Sequence, residues 1–227
     1  MGTSATPPEA DGRRARWAEH RSARRAELIE AVIEAVRERG PGVGMDDVTA
    51  VSGVAKPVFY RYFADKADLY LAVGREVAER IVDDVRTAVD THTTPRGMLA
   101  AGVDAFLLWV ERDPDLYRFV LQRPYTASTV SDYSAVVGMH VTRVTGDLLR
   151  GAGLDSGVAE PWGFAMVGAV RAGAERWLEQ RTMSREALAA YLTDLLWSGC
   201  RTPFGGVVES GGVVELPAPL RSVTPSG

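Results

Sequence analysis

Residues 44–73 decide the fold of this chain, and they read GMDDVTAVSGVAKPVFYRYFADKADLYLAV. A short helical pattern at 46–52 is followed by the turn Gly53–Val54–Ala55 and by a second short helical pattern at 56–62. Two short helices joined by a tight, glycine-containing turn are typical of a helix-turn-helix. A longer helix is predicted to follow at once, over residues 66–90.

The two short helices are predicted to have one apolar face and one polar face. Val48, Val51 and Val54 are expected to pack inward, and Phe59 and Phe63, four residues apart, join them from the second helix. The opposite face offers basic and aromatic groups that suit the major groove of DNA, which is about 12 Å wide. The residues on or near that face are Lys56, Pro57, Val58, Tyr60, Arg61 and Tyr62.

Acidic residues stand where the helices of this motif begin. Asp46 and Asp47 open the first helix, where the positive end of the helix dipole stabilises a carboxylate. Asp65 is expected to cap the next helix, which leaves Lys66 to reach a phosphate. Lys66 and Lys56 are the two lysines among 26 basic residues, and both fall in the motif.

The rest of the chain carries helical patterns, at 24–39, 97–111, 115–121, 128–150, 158–180 and 185–197. No segment of the first 200 residues alternates convincingly with a period of two, so the predicted fold class is all-α. Residues 1–21 are predicted to be a disordered arm and 22–68 a three-helix helix-turn-helix domain. Residues 69–200 are predicted to be a larger helical domain, and 201–227, rich in Gly and Pro, an irregular tail.

The composition excludes several classes of function. The chain has 227 residues, 46% of them hydrophobic and 25% charged, which is globular usage. The single cysteine, Cys200, excludes a disulfide framework, and the three distant histidines form no metal-binding spacing, so no metal or cofactor is expected. No apolar run reaches the roughly 18 residues of a membrane span, and no signal peptide is present. A soluble, cytoplasmic protein without membrane contact is therefore expected.

The net charge of −4 by itself argues against nucleic-acid binding, but its distribution does not. Residues 1–64 contain ten basic and nine acidic residues, so the negative excess belongs to the remainder. Local basic clusters on a near-neutral domain bind phosphate, because only the contacting surface matters. The arginines near the N-terminus, from Arg13 to Arg25, are either a minor-groove arm or a solvated tail.

Residues 22–75 resemble the N-terminal DNA-binding domain of TetR-family transcriptional regulators. The pieces that carry the resemblance are Asp47–Val48, Ser52–Gly53–Val54, Lys56–Pro57, the run FYRYF at 59–63, and Asp65–Lys66 with Leu69. The resemblance implies phosphate contacts for Tyr60 and Lys66. It also implies a position at the DNA groove for Lys56, Pro57, Val58, Arg61 and Tyr62, and core positions for Phe59 and Phe63.

Two residues depart from the family pattern. Ala55 stands where Ser or Thr is frequent, so the second helix loses a side-chain cap at a cost of about 1 kcal/mol. Val58 stands where Thr is common and offers only apolar contact, for example to a thymine methyl group. The operator sequence therefore does not follow from the resemblance.

The resemblance also implies a dimer built from the last two helices. Gly168 and Ala172, four residues apart, leave a smooth face on which another helix can approach closely. The other interface candidates, on the last helix, are Leu188, Tyr191, Leu192 and Leu195. The alternative for all of them is packing within the chain's own core. A dimer suits DNA, because a two-fold protein matches a palindromic site.

Aromatic residues concentrate in the middle of the chain, where a pocket for a lipophilic ligand is plausible. The candidate ligand-binding residues are Phe106, Trp109, Tyr117, Trp162, Met166 and Arg171. Core packing is the alternative for each aromatic residue. Arg171 needs a partner if it is buried, either a ligand carboxylate, phosphate or coenzyme-A group or the nearby Glu175. His92 and His140 are expected at the surface or in helix packing.

The sequence thus predicts a homodimeric, ligand-responsive regulator that binds a palindromic double-stranded DNA operator, with repression favoured over activation. The motif combination is also similar to actinobacterial members of the family that respond to long-chain acyl-CoA, so a fatty acid or acyl-CoA is the expected effector. An enzyme is a weaker hypothesis, because no nucleophile elbow, phosphate loop or dinucleotide fingerprint is present. A third hypothesis is a ligand- or partner-binding protein without DNA activity.

Overall fold

The computed structural model describes residues 8–121 and 127–208, with side chains at 17, 19–121 and 135–199. All regular structure in these ranges is α-helical, which confirms the predicted all-α class. The helices run in chain order and are, with their bounds, α1 Pro8–Arg39, α2 Met45–Ser52, α3 Lys56–Phe59, α4 Lys66–Asp90, α5 Pro95–Arg112, α6 Pro114–Leu121, α7 Ala127–Gly151, α8 Ala159–Gln180 and α9 Arg185–Val208.

The first three helices and the start of α4 enclose one apolar core. Val48 of α2, Phe59 of α3 and Phe63 of the following turn are buried, as the sequence predicts. Val51 and Val54 pack against this core while remaining partly exposed. One apolar face of α1 and the first turns of α4 complete this core. The main residues that they contribute are Leu28, Val32, Ile33, Val36, Leu69 and Val73.

The turn between α2 and α3 depends on glycine. Gly53 has φ +66°, a left-handed conformation that residues with a Cβ rarely adopt, and its amide donates to the carbonyl of Thr49 at 3.0 Å. Ala55 is the N-cap of α3 and makes no side-chain cap hydrogen bond, as predicted. Asp65 does cap α4, since its Oδ1 accepts from the Asp68 amide at 2.8 Å.

The second helix of the motif, α3, is shorter than the predicted range of 56–62. Regular α-helix ends at Phe59, and the chain continues in tighter turns. There the Arg61 amide donates to the carbonyl of Val58, and the Tyr62 amide to that of Phe59 at 2.9 Å. Bonds that span three residues commonly tighten the last turn of a helix. Arg61 and Tyr62 therefore project from a turn.

The helices at the two ends of the chain are longer than predicted. Residues 8–21, expected to be disordered, continue α1, and residues 201–208, expected to be irregular, continue α9. The segment 8–21 is rich in Ala, Arg and Glu, which favour a helix. At the other end, each helical turn already formed lowers the cost of adding the next residue. The remaining parts of both predictions, at 1–7 and 209–227, lie outside the described residues.

The second half of the molecule is a helical bundle. The α7 and α8 helices pack closely at Gly163, where an added Cβ would lie 2.8 Å from the Thr142 amide nitrogen and 3.0 Å from the Gly138 carbonyl oxygen. The α5 and α9 helices are joined by Arg185, which pairs with Asp104 and, at 3.2 Å, with Glu111. The bundle thus combines one close backbone approach with ionic contacts at its rim.

We expect Gly53→Ala to lower the free energy of unfolding by about 1 kcal/mol, because a Cβ is strained at positive φ. Gly42→Ala is the matched control, since Gly42 has no positive φ and no atom near its would-be Cβ. Urea denaturation of both variants measures the difference. Equal stability of the two variants would contradict the assigned role of Gly53.

Candidate DNA-binding surface and internal cavity

Some of the predicted DNA-contacting residues are exposed on the surface around α3. Tyr60 is 45% exposed, and Pro57 and Arg61 are also exposed. Val58 and Tyr62, by contrast, are partly buried and pack against the core. The sequence places both on or near the groove face, and in the structure only part of each side chain is exposed there. The exposed surface is narrower than the sequence suggested.

Both lysines border this surface. The Lys56 ammonium pairs with Asp46 Oδ1 at 2.6 Å, which links the start of α3 to the start of α2. The Lys66 ammonium lies 5.3 Å from the ring centre of Tyr70, within the range of a cation–π contact. The Tyr70 hydroxyl in turn donates to the Val43 carbonyl at 3.2 Å. Lys66 is thus held in place, whereas Lys56 is partly neutralised by an acidic neighbour.

A cavity of about 230 Å³ lies inside the bundle. Its wall on α4 runs from Val77 to Val89, which is about 18 Å along a helix axis. The lining from α5, α6, α7, α8 and α9 is almost entirely aliphatic or aromatic and includes Met98, Phe106, Val120, Val144, Val170 and Trp197. A long apolar cavity of this kind accepts a lipophilic molecule.

Four of the six candidate ligand-binding residues line this cavity: Phe106, Tyr117, Met166 and Arg171. Trp109 and Trp162 do not, which corrects their predicted position. Trp109 is buried behind Tyr117, at 6.4 Å between ring centres, and Trp162 packs in a separate cluster with Leu149. Helical periodicity identifies an apolar face but does not distinguish a cavity wall from solid core.

His140, expected at the surface or in helix packing, also lines the cavity. Burial lowers the pKa of His140 below its usual value near 6.5, and the positive charges of Arg143 and Arg86 lower it further. The imidazole is therefore neutral at pH 7. Its position on the inner face of α7 depends on how α7 meets α4, which the spacing of one histidine does not reveal.

Arg171 and Tyr117 are polar residues in the cavity lining. The guanidinium of Arg171 donates to Glu175 Oε1 at 3.0 Å, so the nearby carboxylate is its partner. The Tyr117 side chain is only 5% exposed, and its hydroxyl has no hydrogen-bond partner among the described residues. Burial, followed by the charge of Glu175, raises the pKa of Tyr117, so the phenol stays protonated and acts as a donor.

The outer face of α8 and α9 is smooth and apolar. Tyr191 and Leu195, four residues apart, are 66% and 65% exposed, and an added Cβ at Gly168 would meet nothing. Ala172 and Phe164 are also exposed on α8, although the sequence did not single out Phe164 for this face. Leu188 and Leu192 are instead buried in the chain's own core, which corrects their predicted position. The two leucines, four residues apart, share one side of α9, turned about 60° around the axis from the exposed residue three positions later.

The short helix α6 touches both halves of the molecule. Its residues Tyr117, Val120 and Leu121 line the cavity, while Phe119 contacts Tyr70 of α4 edge-on at 5.1 Å. Asp113, immediately before α6, accepts two hydrogen bonds from Arg37 of α1, at 3.0 and 3.1 Å. The helix is therefore a physical link between the cavity and the helix-turn-helix.

No helix in the described ranges is long and apolar enough to cross a membrane. In the same residues, no group of three or more His, Cys, Asp or Glu side chains is placed to hold a metal ion.

Comparison with known proteins agrees with this geometry. Residues 28–73 match the family described as bacterial regulatory proteins, tetR family, and residues 84–203 match the tetracyclin repressor-like C-terminal domain. The chain is 32% identical over 208 residues to the HTH-type transcriptional regulator Rv0472c of Mycobacterium tuberculosis, covering 90% of this chain and 87% of the relative. It is 32% identical over 183 residues to the HTH-type transcriptional activator FasR of Mycolicibacterium smegmatis, covering 79% and 84%.

Among solved structures, the fold is similar to that of the transcriptional regulator FadR from Bacillus subtilis in complex with stearoyl-CoA. The TM-score is 0.65 at 16% identity, and the match covers 77% of this chain and 98% of the other. At this level of identity the likeness concerns the fold alone.

We expect Asp46→Asn to strengthen binding to DNA by about two- to fivefold at low salt, because the variant releases Lys56 from an exposed ion pair. Asp90→Asn is the matched control, since Asp90 is also exposed and pairs with Arg86, at the far end of α4. Fluorescence anisotropy with the same duplex measures both variants. Weaker or unchanged binding by Asp46→Asn would show that the pair does not restrain Lys56.

Proposed function

Because this chain belongs to the TetR family of DNA-binding transcriptional regulators, we propose that it binds a palindromic operator as a homodimer and is released by a lipophilic small molecule. The observation that carries the proposal is the pairing of an exposed, lysine-bordered α3 surface with a long apolar cavity in one chain. The family is one of regulators, so the enzyme hypothesis is set aside.

On the DNA side, the proposed contacts are those of an α3 surface in the major groove. Tyr60 and Lys66 bind phosphates, while Lys56, Pro57 and Arg61 face the base edges. Val58 and Tyr62 contribute through the part of each side chain that stays exposed. Two such surfaces in a dimer lie about 34 Å apart, one turn of the double helix.

On the ligand side, we propose a molecule with a long alkyl chain, such as an acyl-CoA or a fatty acid. The support is the shape and apolar lining of the cavity along α4 from Val77 to Val89. The stearoyl-CoA complex of the similarly folded FadR is consistent with this class. Each buried CH₂ contributes about 0.8 kcal/mol, so affinity should increase with chain length until the cavity is filled.

The proposed switch uses α6 together with α4. A ligand that displaces Tyr117 or Leu121 moves α6, and with it Phe119 against Tyr70 and Asp113 against Arg37. Such a ligand must bind the form that does not bind DNA more tightly, by about 1–3 kcal/mol. The helix-turn-helix then loses the spacing that the operator requires.

Repression is the first candidate for the direction of regulation, and activation is the second. The observation that favours activation is the similarity to FasR, which is named a transcriptional activator. A reporter gene placed behind the upstream intergenic DNA, with and without this chain, separates the two. Increased expression in the presence of the chain would replace repression with activation.

We expect tight, salt-sensitive binding to the intergenic DNA upstream of its own gene, measured by anisotropy at two salt concentrations, and release when a long-chain acyl-CoA is added. Lys66→Ala and Tyr60→Ala should each weaken binding by about tenfold. Lys66→Ala should also reduce the salt slope by about one for each lost phosphate contact.

Arg86→Ala is the control for charge, because Arg86 is an exposed cation near the far end of α4. Unchanged affinity in both test variants would overturn the assignment of the DNA surface. Binding without release would retain the regulator and exclude the acyl-CoA. If the upstream fragment does not bind, selection from random duplexes tests DNA binding itself, and failure there would favour a ligand-binding protein without DNA activity.

We expect Leu195→Glu to break the dimer, because the change places two charges on the apolar α8–α9 face across a two-fold axis. Loss of two buried leucines alone should raise the dimer dissociation constant by at least about a hundredfold. Sedimentation velocity measures the change. Leu108→Glu is the control, as Leu108 is an exposed leucine on α5. A dimer that survives Leu195→Glu would place the interface elsewhere.

A further inference from the structure

Among the described residues, no group offers the Tyr117 hydroxyl a hydrogen bond of good geometry, although the Glu175 carboxylate lies close to it. The Tyr117 side chain is 95% buried, it lines the cavity, and its hydroxyl has no partner among the described residues. A buried polar group without a partner is costly, and such groups are uncommon in folded proteins. Because the phenol is protonated, its hydroxyl can donate a hydrogen bond to an acceptor.

The charge near Tyr117 restricts what that acceptor can be. Arg171 is the one cation among the described residues that line the cavity, and Glu175 is already bonded to it at 3.0 Å. The pair is close to neutral as a whole. Beyond burial, the charge and close approach of Glu175 raise the pKa of the Tyr117 hydroxyl, while the charge of Arg171 lowers it, so both members of the pair act on this hydroxyl.

The other titratable residue of the lining provides no compensating charge. His140 is neutral at pH 7 because burial and two nearby arginines lower its pKa. A carboxylate that entered the cavity would lose its hydration without gaining a free cation, and it would be repelled by Glu175. An uncharged carbonyl or hydroxyl oxygen meets neither penalty.

We infer that the cavity selects ligands with an uncharged hydrogen-bond acceptor, a thioester or ester carbonyl or a hydroxyl, which is bound by the hydroxyl of Tyr117, and that Glu175 disfavours the free carboxylic acid. This inference rests on the proposed ligand function of the cavity and narrows its chemistry. Two sources share the chemistry: the thioester of an acyl-CoA, and a neutral lipid such as an ester or a long-chain alcohol. Tyr117 and Glu175 are then the residues that determine specificity for the head of the ligand.

The test is displacement of Nile red, an uncharged apolar dye, from the full-length protein at pH 7.5. Four ligands with the same alkyl chain are compared: the fatty acid, its methyl ester, the alcohol and the acyl-CoA. We expect the ester and the alcohol to bind about tenfold or more tighter than the acid, because a buried carboxylate must take up a proton at a raised pKa. Equal or tighter binding of the acid would overturn the inference.

Three variants test the residues. Tyr117→Phe keeps the ring contacts with Phe106 and Trp109. It should weaken binding of the methyl ester by about two- to tenfold. Glu175→Gln should bring the affinity for the fatty acid closer to the affinity for the ester, because Arg171 is then free to pair with a carboxylate. Glu179→Gln, which changes an exposed carboxylate one turn further along α8 and outside the cavity, is the control and should change nothing. Unchanged ester binding in Tyr117→Phe, or an unchanged acid-to-ester ratio in Glu175→Gln, would contradict the corresponding role.

The ligand series also separates this inference from the proposed function. If no alkyl ligand displaces the dye, the lipophilic-ligand function fails and this inference fails with it. If all four ligands bind but the acid equals the ester, the inference alone fails. If Tyr117→Phe weakens acyl-CoA binding, the result supports the thioester of an acyl-CoA as the natural acceptor. If the acyl-CoA binds weakly while the methyl ester binds tightly, the result supports a neutral lipid.

Discussion

The structure depends on α4, which serves two cores with one continuous helix. Its first turns contribute Leu69 and Val73 to the core of the helix-turn-helix, and its later turns form the cavity wall from Val77 onward. A 25-residue helix is about 37 Å long and moves as a stiff rod rather than bending freely. In the proposed switch, a shift of the cavity wall would reach the α2–α3 pair, because no linker within α4 intervenes to absorb it.

The contacts around α6 complete this arrangement with forces of a different kind. The edge-on contact of Phe119 with Tyr70 is apolar and depends on close packing, whereas the pair of Arg37 with Asp113 is ionic and bidentate. Arg80 of α4 adds a second ionic contact to α1 through Glu30. Since α1 meets both α4 and the segment before α6, the orientation of the DNA-binding helices is determined from two sides.

The fold was largely predictable, and the reasons are local. The start of α2, the glycine turn, the Asp65 cap and the bounds of α4 follow from residues that act within one helical turn. The inward positions of Phe59 and Phe63 follow from their spacing. The start of α1 and the end of α9 were missed because segments that contain Pro and Gly near both ends of the sequence were interpreted as irregular.

The candidate sites were predicted less well, because they depend on how helices face one another. Trp109 and Trp162 have the same apolar character as Phe106, yet only Phe106 borders the cavity. His140 was assigned to the surface or to helix packing although it lines the cavity, and Leu192 was assigned to the outer face although it is buried. Each of these differences depends on how a helix is rotated about its axis or on which helix packs beside it. A single sequence does not carry that information.

The two lysine side chains of the protein lie at one surface, and this separates amine chemistry from the rest of the molecule. Lys56 and Lys66 both border the α3 surface, and the other 24 basic side chains of the protein are guanidinium groups. Arginine stays protonated and is not a substrate for acyl transfer to an amine, whereas acetylation of lysine removes its positive charge. Apart from the N-terminal amine, chemistry selective for primary amines therefore acts on the α3 surface and leaves the cavity and the outer face of α8 and α9 unmodified. The charge of that surface can be changed after translation without touching the rest of the protein.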